Sequence, residues 1–367
     1  MDCSNFVYGL LATICAGLIA FTSTPSVRVL AYKLGAIDIP KDNRRMHKVP
    51  IPRLGGLAIF LGFIVTTLIF CDITPMLKAI WIGGALIVIV GVLDDIFRLK
   101  AIIKLVAQIA IALIPIWQGI TISSITLAGK AINFGGFTVP ITMLWIVGLT
   151  NAINLIDGLD GLSCGVSAIS AGSLLVCSIL LGQDPSSTAL TAILLGSCLG
   201  FLPFNTNPAK IFMGDTGALF LGYTLSVISV GGVLKAHTVV AFIIPLSIFA
   251  LPIFDTLFAI IRRVIHGKSP FEPDRGHLHH RLIDMGLNQK QSVALLYSIC
   301  GILGLSAALF TSEKLWRAGV VVVVGFALFI TNFILLKNPK TKDETGFDTF
   351  LGGTMKRERK EEEEEDQ

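Results

Sequence analysis

Charged residues are scarce in this chain, and their scarcity excludes an ordinary soluble fold. Asp, Glu, Lys and Arg make up 15% of the 367 residues, whereas hydrophobic residues make up 53%. A typical soluble domain has about 25% charged residues, and a soluble core could not absorb this excess of apolar side chains. The formal net charge of +4 is modest, so we expect no nucleic-acid partner.

Cysteine patterns that would indicate a metal site or a disulfide framework are also missing. The seven cysteines form no CxxC pair, and most of them lie within apolar runs: Cys3, Cys15, Cys71, Cys164, Cys177, Cys198 and Cys300. In such runs a free thiol behaves as a small hydrophobic side chain. We therefore expect neither zinc nor disulfides.

Apolar runs of membrane-spanning length are abundant. A helix needs about 20 apolar residues to cross roughly 30 Å of hydrocarbon. Eleven runs qualify: 5–23, 54–70, 77–93, 102–117, 137–155, 162–181, 188–204, 217–234, 239–261, 292–310 and 315–336. The first run follows Asp2 rather than a basic segment and has no clear cleavage site, so we interpret it as a span and not a signal peptide. The sequence predicts an all-α, polytopic integral membrane protein.

Basic residues predict the orientation of the chain, because Lys and Arg concentrate in cytoplasmic loops. They cluster after the first and the ninth run: Arg28, Lys33, Lys41, Arg44, Arg45, Lys48 and Arg53, then Arg262, Arg263, Lys268, Arg275, Arg281 and Lys290. The opposite connections contain few: Lys130, Lys235, Lys314 and Arg317. Eleven spans then predict an external N-terminus and a cytoplasmic C-terminus.

The chain divides into a long apolar part and a short polar tail. Residues 1–336 are predicted to form one membrane-embedded domain, because no connection is long enough for a soluble domain. Residues 337–367 end in a run of Lys and Arg followed by Glu and Asp, which cannot bury a core. We expect this tail to be disordered and dispensable for chemistry.

Acidic and amide side chains follow several of the runs on the predicted cytoplasmic side. Asp94 and Asp95 close the third run, and two adjacent carboxylates repel each other unless a cation offsets them; a solvated pair at a helix end is the alternative.

After the fifth run, polar groups recur every three residues: Asn151, Asn154, Asp157 and Asp160. If the segment stays helical they share one face, whereas its Asp-Gly steps indicate a helix that frays there.

A third polar segment, 205–217, leads into the eighth run and contains Asp215. By itself Asp215 could be an ordinary helix N-cap. Beside the other acids it resembles an oxygen ligand of Mg²⁺, which favours one or two protein oxygens together with substrate phosphates. We expect Mg²⁺ here, with Mn²⁺ as an alternative.

The last polar segment contains Arg275, His277, His279 and His280 in the loop after the ninth run. A zinc site is the rival interpretation, but this pattern is weak for zinc, and donors that hold a diphosphate fit the acidic clusters better.

Lys104, at the start of the fourth run, could extend to the interface or reach a phosphate. Asp255 in the ninth run is left outside the site, because a pair with Arg262 explains it more simply.

These four motifs, in this order, resemble the polyprenyl-phosphate N-acetylhexosamine-1-phosphate transferase family. The resemblance covers nearly the whole chain up to the last span. Muramyl-pentapeptide transferases are similar in the acidic motifs but usually have three consecutive histidines, where this chain has His277-Leu278-His279-His280. That variant resembles the bacterial branch that transfers N-acetylglucosamine-1-phosphate (GlcNAc-1-phosphate) from UDP-GlcNAc to undecaprenyl phosphate.

The resemblance implies a role for each motif residue. Mg²⁺ would be held by Asp215 and Asn154. Catalysis would involve Asp94 and Asp95 near the lipid phosphate, Lys104 as a neutralising cation, Asp157 and His279. Substrate would be bound by Asn151, Asp160, Asn205 and Phe212, with Phe212 stacking on uracil, and by Arg275, His277 and His280 at the diphosphate or sugar.

The resemblance also implies a reaction and a location. The enzyme would form undecaprenyl-diphosphate-GlcNAc and UMP at the cytoplasmic face of the bacterial plasma membrane, as the initiating step of teichoic acid, O-antigen or similar polysaccharide synthesis. Its partners would be UDP-GlcNAc, undecaprenyl phosphate and the bilayer, with a homodimer left open. The alternatives are another UDP-amino sugar as donor, or a nucleotide-sugar or organophosphate transporter, whose site would lie near the membrane midplane.

Overall fold

Apolar helices dominate the computed structural model, which describes residues 3–40, 49–127, 130–235, 241–267, 269, 276–311, 317 and 319–325. The α-helices with defined bounds in these ranges are α1 Cys3–Lys33, α2 Gly56–Phe70, α3 Pro75–Phe97, α4 Ala101–Trp117, α5 Thr138–Leu155, α6 Leu162–Leu180, α7 Pro185–Asn205, α8 Gly214–Gly231, α9 Ile243–Ile248, α10 Ala250–Ile265, α11 Leu278–Asp284 and α12 Gln289–Phe310. Short 3-10 helices cover Gly135–Phe137 and Val233–Lys235.

The helices have the length and composition of an integral membrane fold. In the described part of the chain six are long and apolar enough to cross a bilayer: Val7–Lys33, Pro75–Phe97, Gly135–Leu155, Leu162–Leu180, Pro185–Asn205 and Gln289–Phe310. The shorter helices Gly56–Phe70 and Ala101–Trp117 are also apolar. On α1, Leu10, Leu11 and Ile14 are about half exposed, which suits contact with lipid rather than water.

Most of the predicted spans coincide with helices, but three details differ. The predicted span 239–261 is broken at Phe249 into α9 and α10. The first helix continues through Pro25 to Lys33, so Arg28 and Lys33 lie in its last turns and not in a loop. Most of the last predicted span, 315–336, lies outside the described residues.

Two short antiparallel ribbons add to the helices and were not predicted. Strands β1 Ile37–Asp38 and β2 Ile51–Pro52 pair Ile37 with Pro52 and Asp38 with Ile51. Strands β3 Ser124–Leu127 and β4 Lys130–Asn133 pair from Ser124 with Asn133 to Leu127 with Lys130. The first ribbon precedes α2 and brings Arg53 to the same end of the bundle as the acidic motifs.

Helix α8 lies at the centre of the bundle, where α2, α3, α5, α6 and α7 all contact it. Every residue from Thr216 to Val230 is buried. Because protein surrounds α8, its side chains pack against other helices instead of lipid, and small and hydroxyl-bearing residues are tolerated. The Tyr223 hydroxyl, for example, donates to the Ala79 carbonyl of α3 at 2.9 Å.

Close backbone contacts bring α2 and α3 against the first turn of α8. A Cβ atom added to Gly91 would lie 2.4 Å from Thr216 Cα, and one added to Gly56 would lie 2.0 Å from Gly217 N. Gly55 and Gly83 are similarly crowded, since an added Cβ would lie 2.3 Å from the Phe201 ring and 1.9 Å from the Tyr223 hydroxyl, so small residues allow close packing here. These contacts place the end of α3 beside the start of α8.

The chain separates into two units, Met1–Val322 and Val323–Gln367. The helices and ribbons above belong to the first unit. Of the second unit the structure describes only 323–325, which are helical. The predicted domain boundary at 336 and the charged tail lie outside the described residues, so both stay predictions.

Candidate active site

A lysine bridges two of the predicted acids where three helix ends meet. Asp94 lies near the end of α3, Lys104 in the first turn of α4 and Asp215 in the first turn of α8. The Lys104 ammonium nitrogen is 3.0 Å from Asp94 Oδ2 and 2.6 Å from Asp215 Oδ2. All three side chains keep some exposure, between 13% and 20%. The ammonium group offsets the repulsion between the carboxylates, so Lys104 belongs to the cluster rather than extending to the interface.

Asp95 has a different environment from its neighbour Asp94. Its carboxylate is fully buried and accepts three hydrogen bonds from the start of α8: from Asp215 N at 3.1 Å, from Thr216 N at 3.0 Å and from the Thr216 hydroxyl at 2.7 Å. The free N–H groups and the dipole of a helix N-terminus stabilise a negative charge in this way. Asp215 itself is the second residue of α8, so the N-cap alternative for Asp215 was wrong.

The segment after α5 is a turn and not a continuous helix. Helix α5 ends at Leu155 and α6 begins at Leu162, with Gly161 at a φ of 77°, so the fraying alternative is confirmed. Asp157 lies in this turn. Burial raises the pKa of Asp157 to about 7, and the carboxylates of Asp215 and Asp95 act in the same direction while Arg53 opposes them. The pKa of Asp157 therefore depends on the charge of Asp215, a member of the Lys104 cluster.

The two asparagines of α5 have different positions. Asn151 donates its amide N–H groups to Gln108 Oε1 on α4 and to the Val147 carbonyl, which ties α4 to α5. Asn154, the predicted metal ligand, lies half-buried in the last turn of α5. The predicted roles of both in binding substrate or metal stay predictions.

The segment between α7 and α8 is held by residues that were predicted to bind uridine. Asp160 Oδ2 accepts from Asn207 Nδ2 at 2.9 Å and from Ala209 N at 3.0 Å. Asn205 is buried and donates to the Ile211 carbonyl at 3.1 Å, while its Oδ1 has no hydrogen-bond partner among the described residues. The backbone N–H of Phe212 donates to the Pro52 carbonyl at 2.9 Å.

The histidine loop is anchored by Asp255, which the sequence analysis left outside the site. Asp255 Oδ2 lies 2.9 Å from His277 Nδ1, and Oδ1 accepts from Leu278 N at 2.8 Å. The expected partner was Arg262, seven residues later on the same helix. Spacing along one helix cannot reveal a contact with a later loop, so the pair with His277 was missed. Arg275 lies outside the described residues.

His279 connects the histidine loop to the Asp157 turn. A Cβ atom on Gly158 would lie 2.2 Å from His279 Nε2, so the imidazole packs directly against this glycine. The ring stacks on His277 with centroids 5.8 Å apart and lies 4.2 Å from the His280 ring. Burial lowers the pKa of His279 to about 3, and His280 and His277 contribute in the same direction. The imidazole is therefore neutral at physiological pH.

Sequence reasoning missed Arg53 as a member of the site. Its Nε lies 4.0 Å from Asp95 Oδ1, and Asp38, Asp215 and Asp157 are close enough to raise its pKa. Arg53 is one of the seven basic residues after the first apolar run, and that group was used only to predict which side of the membrane is cytoplasmic. Arg53 lies two residues before Gly55-Gly56, which contact the 212–217 segment. This proximity in sequence could have indicated that Arg53 lies near the site.

The donor set of the site is suited to a hard cation. The described residues contain no group of three or more His, Cys, Asp or Glu side chains arranged as a metal site. Mg²⁺, however, needs only one or two carboxylates besides substrate oxygens. The carboxylates of Asp94, Asp95, Asp157 and Asp215 face the two cations Lys104 and Arg53 in the described part of the chain, which leaves negative charge for a divalent ion to offset.

Comparison with known proteins identifies the family. Residues 77–233, which run from the first turn of α3 to the end of α8, match Glycosyl transferase family 4. A Bacillus subtilis (strain 168) protein described as a probable undecaprenyl-phosphate N-acetylglucosaminyl 1-phosphate transferase is 39% identical over 343 residues, covering 92% of this chain and 95% of that protein. The chain belongs to the polyprenyl-phosphate N-acetylhexosamine-1-phosphate transferase family.

Other members of this transferase family differ in their lipid acceptors. The decaprenyl-phosphate N-acetylglucosaminephosphotransferase of Mycobacterium tuberculosis (strain ATCC 25618 / H37Rv) is 32% identical, over 87% of this chain and 88% of that protein. The undecaprenyl-phosphate alpha-N-acetylglucosaminyl 1-phosphate transferase of Thermotoga maritima is 30% identical, over 87% and 96%. The matches extend well beyond 77–233, so the histidine loop lies within the shared region of the family.

Proposed function

We propose that this transferase moves GlcNAc-1-phosphate from UDP-GlcNAc to undecaprenyl phosphate, forming undecaprenyl-diphosphate-GlcNAc and UMP. The observation that carries the proposal is the Lys104 bridge between Asp94 and Asp215, which gathers charged groups at one end of a membrane bundle. The names of the Bacillus and Thermotoga relatives support this donor sugar and acceptor. Another UDP-amino sugar or another polyprenyl phosphate is the alternative.

The reaction requires two anions to approach each other. An oxygen of the lipid phosphate attacks the β-phosphorus of UDP-GlcNAc, and the bond from that phosphorus to the bridging oxygen breaks, so UMP leaves with the bridging oxygen. The second pKa of a phosphate monoester is about 6, so the acceptor needs little help from a base at neutral pH. The main tasks of the protein are to position the phosphates and to screen their charge.

The residues of the site suit these tasks. The Lys104 side chain is partly exposed, and its ammonium could exchange part of its contact with Asp94 for a phosphate oxygen. Asp95 fixes the start of α8, and hence Asp215, through its three hydrogen bonds. The neutral His279 packs on the Asp157 turn and keeps the histidine loop close to the acids.

Magnesium would be held by Asp215 together with Asn154, as the resemblance implies, with Mn²⁺ as an alternative. Both residues supply the oxygen donors that these ions prefer. When bound, the ion would supply positive charge that stabilises the diphosphate and the departing UMP.

The proposal includes an orientation in the bacterial plasma membrane. The site lies at the end of the bundle where Arg53 and Arg281 are found, and basic residues favour the cytoplasm. The proposal keeps the predicted eleven spans, with an external N-terminus and a cytoplasmic C-terminus. Reporter fusions that are active only outside the cytoplasm, placed after Gly182 and after Gly286, test this orientation, and we expect a signal only from the first.

A single-displacement reaction is the more economical route, because a dianionic acceptor needs no additional nucleophile. We therefore expect no exchange of labelled UMP into UDP-GlcNAc by lipid-free enzyme. Exchange that is lost in Asp94→Asn or Asp95→Asn would instead establish a covalent intermediate.

The decisive experiment measures UMP release by purified protein with undecaprenyl phosphate and each of three donors: UDP-GlcNAc, UDP-GalNAc and UDP-MurNAc-pentapeptide. We expect release with UDP-GlcNAc that depends on the lipid and on Mg²⁺. Preference for another donor would overturn the assigned sugar. Uptake of intact UDP-GlcNAc into proteoliposomes without UMP release would favour a transporter and reject the transferase reaction.

A further inference from the structure

The backbone holds Arg53 firmly at the edge of the acidic cluster. Its N–H donates to the Ala36 carbonyl at 2.8 Å, and Gly55 N donates to the Phe212 carbonyl at 2.9 Å. Between them, the buried Leu54 has a φ of 86°, which is rare for a residue with a side chain. Such strained positions persist only where neighbouring contacts enforce them, and they are frequent at functional sites. The position of Arg53 is therefore closely defined.

The guanidinium group of Arg53 is poorly matched by protein acceptors. The ion pair that it makes within the described residues joins Nε to Asp95 Oδ1 at 4.0 Å, which is too long for a hydrogen bond. The Nε atom is buried without a hydrogen-bond partner in that part of the chain. A guanidinium carries five N–H donors, so most of its capacity to donate is not used by these residues.

Asp95 does not require Arg53 as a hydrogen-bond donor. Its two carboxylate oxygens already accept from Asp215 N, Thr216 N and the Thr216 hydroxyl. Lys104 differs in this respect, because its ammonium contacts two carboxylates at 3.0 Å or less. Of these two cations, Arg53 has the larger number of N–H donors left for another anion.

The surroundings keep Arg53 charged and accessible. Burial lowers the pKa of Arg53, but the carboxylates of Asp95, Asp38, Asp215 and Asp157 together hold it above its ordinary value. The side chain is 31% exposed, so a ligand can reach it from the open side of the cluster.

We propose that Arg53 binds a phosphate group of a substrate, through guanidinium N–H groups that no carboxylate of the described residues uses. A guanidinium forms two parallel hydrogen bonds to phosphate, a geometry that a lysine ammonium cannot reproduce. The phosphate belongs either to the lipid acceptor or to the diphosphate of the nucleotide sugar. This inference rests on the proposed function, because it assumes phosphorylated substrates at this site.

Equilibrium binding and steady-state kinetics test the inference with the full-length protein in detergent. Dissociation constants for UDP and for uridine, and KM for undecaprenyl phosphate, are measured for wild type, Arg53→Met, Arg53→Lys and the control Arg98→Met. Arg98 is an exposed arginine three residues after Asp95, so its replacement removes the same charge nearby. We expect Arg53→Met to weaken the binding of one phosphorylated ligand by roughly 10- to 100-fold, from the usual strength of charge-assisted hydrogen bonds. Arg98→Met should change the dissociation constants and KM little.

The arms of this experiment separate the two phosphates. Weaker binding of UDP, with unchanged affinity for uridine and for the lipid, assigns Arg53 to the donor diphosphate, whereas a raised KM for undecaprenyl phosphate alone assigns it to the acceptor. Unchanged values for both ligands, or an equal loss for uridine and UDP, would overturn the inference. If Arg53→Met does not fold, Arg53→Lys retains the charge and still tests the paired hydrogen bonds. UDP binding needs no turnover, so an Arg53 effect without any UMP release would reject the proposed function and not this inference.

Discussion

At the scale of single residues, Asp94 and Asp95 are adjacent in sequence and yet serve different purposes. Asp94 pairs with Lys104 at the open part of the cluster, whereas Asp95 is buried and accepts hydrogen bonds from the first turn of α8. The sequence analysis placed both acids near the lipid phosphate. The contacts of Asp95 indicate a positioning residue that holds Asp215, because its oxygens are already occupied by protein donors.

Asp215→Asn should nearly abolish turnover, because it removes the charge that pairs with Lys104 and that would bind Mg²⁺. We expect UMP release to fall by at least about 100-fold, the usual effect of losing a group that stabilises transition-state charge. The matched control is Asp184→Asn, since Asp184 is exposed at the other end of the bundle, directly before α7. Near-normal rates for Asp215→Asn at limiting Mg²⁺ would show that Asp215 is not a ligand.

His279 should make the protein sensitive to acid. Its pKa is lowered from 6.5 to about 3 in the folded protein, so below pH 6.5 the unfolded chain binds a proton that the folded chain excludes. Stability should therefore be fully present above pH 6.5 and decrease as the pH falls toward 3. We expect the thermal midpoint of His279→Gln to decline less over this range than that of wild type. The exposed His266, replaced by Gln, is the control, and equal declines for all three proteins would contradict the prediction.

At the scale of secondary-structure elements, the junction of α3 with α8 determines the geometry of the site. Gly91 allows the α3 backbone to approach Thr216, and the same approach lets Asp95 reach the α8 N-terminus four residues later. Similarly, α10 holds α11 through Asp255 and His277. The polar groups of the candidate site are thus positioned by contacts between helix ends and not by their own spacing along one helix.

Gly91→Ala should damage both stability and activity, because its Cβ would overlap the Thr216 backbone at 2.4 Å. Overpacking of this kind costs about 1–3 kcal/mol, so we expect a lower thermal midpoint and a loss of UMP release. Gly148→Ala is the matched control, since nothing lies within 4 Å of the corresponding Cβ on α5. An unchanged midpoint for Gly91→Ala would mean that α3 can move away without consequence for the fold.

At the scale of the whole molecule, the bundle places a polar site at one end of a set of apolar helices. Residues of α3, α4, α8 and the α5–α6 turn meet there. This arrangement suits a lipid substrate, because the hydrocarbon tail can stay in the bilayer while its phosphate meets a soluble nucleotide at the interface.

Deletion of Met355 to Gln367 should leave the specific activity nearly unchanged, because Met355 is the one apolar residue of this segment and the charged run after it cannot bury a core. Specific activity per folded protein and expression level are measured together. A large loss of activity with normal expression would show that the tail contributes to function.

Much of the fold could be predicted from the sequence. Most residues of the candidate site could also be predicted, but their contacts could not. Nine of the eleven apolar runs each coincide with one described helix, because a run long enough to cross the bilayer forms a helix there. The break at Phe249 and the two β-ribbons escaped prediction, since both depend on packing against distant segments. Asp255 and Arg53 were missed for the same reason: their partners lie 22 and 42 residues away in sequence, at His277 and Asp95.

The sequence by itself determined that this chain is a membrane protein of helices and that its polar chemistry follows particular helix ends, because hydrophobicity and motif order are local properties. Only the tertiary structure decided which of those polar groups pair with one another. It paired Lys104 with both Asp94 and Asp215, turned Asp95 toward the α8 N-terminus and, among the described residues, left most donors of Arg53 without an acceptor. The physical reason is that the energy of a charge depends on which donors and acceptors surround it, and those neighbours come from helices far apart in the chain.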